Sequence, residues 1–256
     1  MPFPVTNRVF YTKNPLVEVV CQLRFPPVLR IDSELPSAFQ DRIRDRFPEY
    51  QSSRPQLPAG LNLPAELAKV MFANAQSSAH EFITADGSSR ISLTRDFIAL
   101  SVNNYSQWAN FFELLKGPLE ALTELYRPSY FSRIGLRYRD RIERERLNLG
   151  GVPWHELIQP WIAGALADET IAPQVERILG EVNIKLPEGG AVRIVHGLDG
   201  ETDKLAYLID SDFYREGQVP TGEVDNVLRT FNQKAGHLFR WCIKPKLDAA
   251  MEPRDP

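Results

Sequence analysis

The feature that most constrains the fold is an alternation of apolar and polar residues in two segments. Residues 17–25 read VEVVCQLRF, and their alternate positions are Val17, Val19, Cys21, Leu23 and Phe25. In SRIGLRYRDRIERER, residues 132–146, the positions Ile134, Leu136 and Tyr138 alternate with Arg137, Arg139 and Arg141. A period of two is typical of a β-strand with one covered face. Both segments are therefore predicted to be strands of an antiparallel sheet.

Further strands are predicted near 68–75, 80–85, 89–95, 97–105, 181–187, 191–198 and 204–214. The Asp-Gly pairs at 86–87 and 199–200 predict tight turns between neighbouring strands, since glycine accepts the positive φ that such turns need. Residues 51–64, which are rich in proline and polar side chains, are predicted to form a loop.

Helices are predicted where apolar residues recur every three or four positions. The first begins at Asp32 or Ser33 and ends before Pro48, and the second follows Ser106 with a kink or break at Gly117-Pro118. A short helix is expected within 150–164, and a long one from about Gly222, with Thr221 as its cap. The final residues, MEPRDP, are expected to fray.

The two halves of the chain follow one order of elements, namely strand, helix, several strands and long helix. We therefore predict an α+β fold of two successive modules, residues 1–128 and 129–256, with a curved antiparallel sheet and the long helices packed on one face. Two alternatives stay open. General α+β patterning mimics such a duplication, and the two modules can form one continuous domain.

Three stretches of the chain form a recognisable set: NPLVEVVCQLRF near one end, LIDSDFY with VLRTFNQKAGHLFRWCI near the other, and the strand RIGLRYRDRI between them. Together they resemble a family of bacterial proteins of this length that occur sporadically among genomes. The resemblance implies no established activity and no catalytic or ligand residue. The patchy occurrence implies a toxin–antitoxin or phage-defence context.

Composition and charge limit the classes of function. A net charge of −3 gives no general attraction to nucleic acid or acidic lipid, so any anion site must be local. No apolar stretch approaches the ~20 residues that span a bilayer, and the first residues lack the pattern of a secretion signal. We therefore expect a cytoplasmic protein without membrane contact. Cys21 and Cys242 lie in apolar patterns and are predicted to be buried free thiols.

The motifs that usually carry catalysis do not stand out. His80, His155, His196 and His237 show no metal-ligand spacing, and neither common nucleotide-binding glycine motif occurs. Asp210 and Asp212, two residues apart on one strand, suit either a magnesium site or an ordinary polar strand end. The sequence predicts no cofactor.

The arginine strand is the candidate binding site. Its candidate residues for an anion or a partner are Arg133, Arg137, Arg139 and Arg141. On one strand face, alternate guanidinium groups lie about 7 Å apart, which is close to the spacing of successive phosphates. Three interpretations remain open: a solvated face whose arginines pair with acids such as Glu18, an anion or nucleic-acid site, and a protein interface.

These observations favour a non-enzymatic cytoplasmic protein that binds a macromolecular partner, with a protein partner expected before a nucleic acid. Homo-oligomers are compatible with the same surface. One alternative is an enzyme or nucleotide-responsive protein with a site between the two modules, where Asp210, Asp212 and the arginines would be the first candidates. The other is nucleic-acid binding through the arginine strand.

Overall fold

The computed structural model describes residues 3–53, 79–199 and 205–255. The predicted strand at 68–75, most of the predicted loop at 51–64 and the glycine of the turn at 199–200 lie outside these residues. The other predicted elements lie almost entirely within the described residues.

The described residues form a sheet of two strands and a sheet of nine strands. The strands are β1 Phe10–Tyr11, β2 Leu16–Arg24, β3 Glu49–Ser53, β4 Ala79–Ile83, β5 Ser89–Leu93, β6 Phe97–Val102, β7 Phe131–Glu143, β8 Leu179–Lys185, β9 Ala191–Asp199, β10 Ala206–Val219 and β11 Pro253–Arg254. The large sheet has the order β3-β4-β5-β6-β2-β7-β10-β9-β8, and β1 pairs with β11. The prediction of an α+β protein with a large curved antiparallel sheet and helices packed on it is confirmed.

The α-helices among the described residues are α1 Arg30–Ser33, α2 Ser37–Ile43, α3 Trp108–Leu125, α4 Pro160–Ala163, α5 Val224–Cys242 and α6 Pro245–Ala250. Short 3-10 turns occupy Glu145–Leu147, Trp154–Glu156, Gly164–Ala167, Ala172–Gln174 and Thr221–Glu223. The long helices α3 and α5 are the two that the sequence predicts after strands in each half.

The helices in the structure differ from the predicted ones at two prolines, Pro36 and Pro118. The first helix is split into α1 and α2 at Leu35-Pro36, because proline lacks an N–H and disfavours helical geometry in the residue before it. Leu35 is 73% exposed as a result. By contrast, α3 is not broken at Pro118, which lies on the buried stripe of that helix. Packing of the apolar face holds the helix together through that position.

The prediction that the C-terminal residues fray is wrong. Within this tail Pro253 and Arg254 form β11, directly after α6, and they pair with Tyr11 and Phe10 of β1. Met251 is completely buried, and the Tyr11 hydroxyl donates to Asp248 Oδ1 at 2.6 Å. Burial of apolar surface and strand pairing together offset the entropy that an ordered terminus loses.

The chain divides into two compact units. Unit 1 comprises residues 1–19, 135–215 and 225–256, and unit 2 comprises residues 20–134 and 216–224. The core of unit 1 includes Phe213 against Phe231, with ring centroids 6.0 Å apart, and the core of unit 2 includes Phe39 against Phe82 at 5.3 Å. The predicted module boundary at 128/129 and the internal duplication stay predictions. The predicted buried thiols are confirmed, since Cys21 and Cys242 are both free and buried.

Candidate functional site

The alternation of β7 gives unit 1 two chemically different sheet faces. Leu136, Tyr138 and Ile142 are buried on one face. On the other face the side chains of Arg137 and Arg139 are 45% and 41% exposed. Successive side chains of a strand point to opposite sides, so burial of the apolar set leaves the arginines accessible. We call the accessible side the arginine face; its residues on the strands are Glu18, Arg137, Arg139, Leu179, Val195, Leu208 and Asp210.

Asp210 of β10 holds Arg137 in a two-pronged ion pair. Arg137 Nε donates to Asp210 Oδ1 at 2.6 Å, and Nη2 donates to Oδ2. The hydrogen bond raises the pKa of Arg137 above its already high ordinary value. Because the Arg137 side chain is nearly half exposed, such a pair adds little stability. Its main effect is to fix the guanidinium plane above the sheet.

The other predicted arginines also have partners within the fold. Arg139 Nη1 donates to Glu18 Oε2 at 3.2 Å, and its Nε lies 4.0 Å from Asp210 Oδ2. Arg133, in unit 2, donates from Nη1 to Gln22 Oε1 at 3.3 Å. Arg141 Nε donates to Glu143 Oε1 at 2.9 Å. The structure therefore brings Arg137 and Arg139 together around Asp210.

A depression of about 350 Å³ lies on the arginine face beside this pair. Its polar lining includes Arg137, Arg139 and Asp210, together with Glu176 and Arg177. Its apolar lining comprises Leu179, Val195, Leu198 and Leu208. The depression thus combines fixed guanidinium groups with exposed aliphatic surface, which is the mixture found at protein interfaces.

Arg177 is a lining residue that no pattern in the sequence indicates. It follows the 3-10 turn Ala172–Gln174 in a stretch without periodicity, and its side chain is exposed. Within the part of the chain that the structure describes, no ion pair or hydrogen bond involves its guanidinium group. Arg177 can therefore bind a carboxylate without first breaking an internal pair.

Gly197 determines where the chain carrying Arg177 meets the sheet. Its φ is +152°, and a Cβ at this position would lie 2.0 Å from the carbonyl oxygen of Ile178. Leu198 N donates to that same oxygen at 3.0 Å. Only glycine allows this close backbone approach, which places Ile178 and the preceding Arg177 at the edge of the depression.

His196, although its chain borders the depression, directs its ring to the covered side of β9. It is in register with the buried residue Ile209, and its Nδ1 lies 3.0 Å from the Tyr207 hydroxyl. That hydroxyl donates to the carbonyl of Ile162 at 2.6 Å, so His196 Nδ1 carries the hydrogen in this contact. Burial lowers the pKa of His196, and the neutral ring serves packing and hydrogen bonding within unit 1.

Two further titratable groups on the covered side, Asp140 and Cys242, lie among the described residues, and neither is activated as a nucleophile. Asp140 is buried, and burial together with the charge of Asp210 raises its pKa to about 8. Burial and the charge of Asp140 raise the pKa of Cys242 well above its ordinary value, so this thiol stays protonated. In residues 3–53, 79–199 and 205–255, no group of three or more metal-ligating side chains is arranged to hold an ion.

A second depression, of about 280 Å³, lies near the end of β7 and is mainly apolar. Arg144 lies over the ring of Trp154, with its guanidinium carbon 4.5 Å from the ring centroid. Arg144 also donates to the carbonyl of Val152 at 2.8 Å. Through these contacts Arg144 packs the 3-10 turn Trp154–Glu156 against the strand.

Comparisons of the chain with protein families, with curated proteins and with solved structures gave no match. Separately, no helix within the described residues is both long and apolar enough to cross a membrane.

Proposed function

We propose that the protein is a non-enzymatic binding protein and that its arginine face docks a protein partner. The observation that carries the proposal is the depression in which Arg177, without an internal partner among the described residues, lies beside two fixed guanidinium groups and exposed aliphatic side chains. Arginine groups held in place before binding lose less conformational entropy when a partner arrives.

The lining indicates the chemistry of the partner. Arg177 suits a carboxylate, and Leu179, which is 69% exposed, together with Leu208 suits an apolar side chain. The proposed partner therefore presents an acidic residue next to an aliphatic or aromatic one. A cytoplasmic setting and a toxin–antitoxin or phage-defence context remain part of the proposal.

The charge pattern favours a protein over a nucleic acid. Asp210 and Glu18 accept hydrogen bonds from Arg137 and Arg139, so these arginines are not available to neutralise phosphates without loss of an existing pair. Glu176 adds another negative charge to the lining. Nucleic-acid binding depends on several unpaired cations along one surface, whereas a mixed surface selects a partner with complementary charges.

The test begins with a photo-crosslinking residue in place of Leu208, used in extract of the native host to capture the partner. The partner is then purified, and its affinity is measured by calorimetry for wild type and for Arg177→Glu. We expect Arg177→Glu to weaken binding by about thirtyfold or more, as for a central arginine at an interface. Arg229→Glu is the matched control, because Arg229 is exposed on α5 and pairs with Asp225 within its own helix.

An equal affinity of wild type and Arg177→Glu for the captured partner would contradict the proposal. Titration with duplex DNA and with RNA at two salt concentrations tests the rival function. Binding that weakens steeply with salt and is lost in Arg177→Glu would replace the protein partner with nucleic acid.

A further inference from the structure

The strand β8 forms one edge of the nine-stranded sheet, and hydrogen bonds at its two ends show which of its groups face outward. Leu198 N donates to Ile178 O, and Leu186 N donates to Gly190 O, each at 3.0 Å. Since hydrogen-bonded pairs alternate along antiparallel strands, the residues between them that face β9 are Gly180, Val182 and Ile184. The outward N–H and C=O groups belong to Leu179, Glu181, Asn183 and Lys185, and they have no backbone partner in the described part of the chain.

We propose that β8 pairs with β8 of a second copy of this chain, antiparallel and centred on Asn183. In this register Asn183 faces Asn183 of the second copy. Glu181 faces Lys185 of the second copy, and the reverse pair forms by symmetry. The segment EVNIK, residues 181–185, is therefore complementary to itself. The inference does not depend on the proposed docking function.

The charged side chains of β8 favour this pairing. Glu181 accepts hydrogen bonds from Arg193 Nη2 at 2.7 Å and from Asn183 Nδ2 at 3.0 Å, and these bonds lower its pKa. Lys185 is exposed, and no ion pair engages its ammonium group among the residues that the structure describes. Each copy thus offers one unpaired base, Lys185, and one ionised acid, Glu181, equally far from Asn183. Glu181 is already paired with Arg193 but is 45% exposed, so Lys185 of a second copy joins this pair and does not have to break it.

Neighbouring registers are less favourable. Pairing centred on Val182 sets Glu181 against Asn183 and Lys185 against Leu179, so it forms no ion pair. Pairing centred on Glu181 sets that residue against itself, and like charges directly opposite each other are destabilising. The register centred on Asn183 alone among the three forms two ion pairs. On the other face of the sheet it sets Val182 against Ile184, both partly exposed in the single chain.

The contact between the two strands is small, so the association is expected to be weak. Pairing of residues 181–185 forms about six backbone hydrogen bonds. Such a contact buries less than the roughly 1,200 Å² of a stable interface, so we expect weak association that is seen only at high protein concentration. The charged side chains at this edge disfavour pairing with unrelated strands while they match a second copy. The two-fold axis is perpendicular to the sheet, so the arginine faces of both copies lie on the same side.

Sedimentation velocity over a range of concentrations tests the inference with two charge-reversal variants, Glu181→Lys and Lys185→Glu. Each variant alone sets like charges opposite each other twice, and we expect its self-association to weaken by about tenfold or more. An equal mixture of the two variants restores both opposite-charge pairs and should associate again. Wild type that stays monomeric at every concentration would overturn the inference.

A third variant separates pairing through β8 from dimers formed elsewhere. The N–H of Asn183 points away from β9, so Asn183→Pro removes an outward donor without removing a bond to β9. Circular dichroism should show the wild-type fold, and sedimentation should show a monomer. Dimers of unchanged strength in Asn183→Pro, or in both charge-reversal variants, would assign association to another surface and contradict the inference.

Discussion

Substitution of Asp140 by asparagine should abolish a pH dependence of stability that this buried carboxyl imposes. Asp140 lies on the covered face of β7 with 8% of its surface exposed, and no hydrogen bond within the described residues satisfies it. Burial, followed by the charge of Asp210, raises its pKa from 3.8 to about 8. The folded protein therefore keeps a proton on Asp140 at pH values where the unfolded chain has released it.

The direction of the effect follows from proton binding. Between about pH 4 and about pH 8 the folded state binds more protons than the unfolded state, so the free energy of unfolding falls as pH rises. The fall is about 1.4 kcal/mol per pH unit for one group, or about 4 kcal/mol from pH 5 to pH 8. The amide that replaces the carboxyl in Asp140→Asn does not titrate. Relative to wild type, Asp140→Asn should therefore gain stability progressively over this interval.

Urea unfolding followed by tryptophan fluorescence measures this difference, since the chain has four tryptophans. The quantity to plot is the unfolding free energy of Asp140→Asn minus that of wild type, because the other titrating groups cancel. Asp168→Asn serves as a control. Hydrogen bonds from the backbone of Thr170 and Ile171 lower the pKa of Asp168, so its difference should stay level above pH 5. A level difference for Asp140→Asn as well would show that Asp140 does not take up a proton on folding.

Two further predictions concern backbone geometry and the thiols. Gly197→Ala should lower the free energy of unfolding by about 2–4 kcal/mol, because its Cβ would collide with the Ile178 carbonyl. By contrast, Gly236→Ala, with open space around it in α5, should raise the free energy of unfolding by about 1 kcal/mol. Equal effects of the two substitutions in denaturant titration would contradict this assignment. Cys21 and Cys242 should react with a thiol reagent only at the rate of unfolding, because burial raises the pKa of both. Fast labelling of the native protein would show that a thiol is accessible.

The strands could be predicted from the sequence because burial of one strand face directly produces the alternation of apolar and polar residues. Val19, Cys21 and Leu23 are buried on one face of β2, as their spacing predicts. The same principle correctly placed Leu136 and Arg137 on opposite faces of β7. One covered face is sufficient to impose a period of two, whatever the strand pairs with.

The helix ends could not be predicted as well, because local and tertiary effects compete there. Pro36 interrupts an apolar stripe that continues at Phe39. A prediction from periodicity alone therefore joins α1 and α2 into one helix that is too long. Pro118 has the same intrinsic effect but lies inside a helix whose face is already buried. The pairing of Tyr11 with Pro253 joins the two ends of the chain, and nothing local in the tail predicts this contact.

The candidate site was predicted only in part for a similar reason. Arg137 and Arg139 follow from the alternation of one strand, and Glu18 was expected as an acid across from them. The spacing of Asp210 and Asp212 suits a metal site as well as a polar strand end, whereas the structure pairs Asp210 with Arg137. Arg177 lies in an irregular stretch, and its position depends on the close approach of Ile178 to Gly197. Such a contact between distant residues has no local sequence pattern.

The most direct measurement of the central claim is a charge-swap experiment between Arg177 and the partner that binds the arginine face. Once that partner is known, each of its acidic residues is changed to lysine and tested against Arg177→Glu. If Arg177 docks a carboxylate of the partner, one such lysine variant should bind wild type weakly and bind Arg177→Glu with restored affinity. Loss of binding in Arg177→Glu that no charge reversal in the partner restores, or no loss at all, would contradict the claim that Arg177 docks a protein partner.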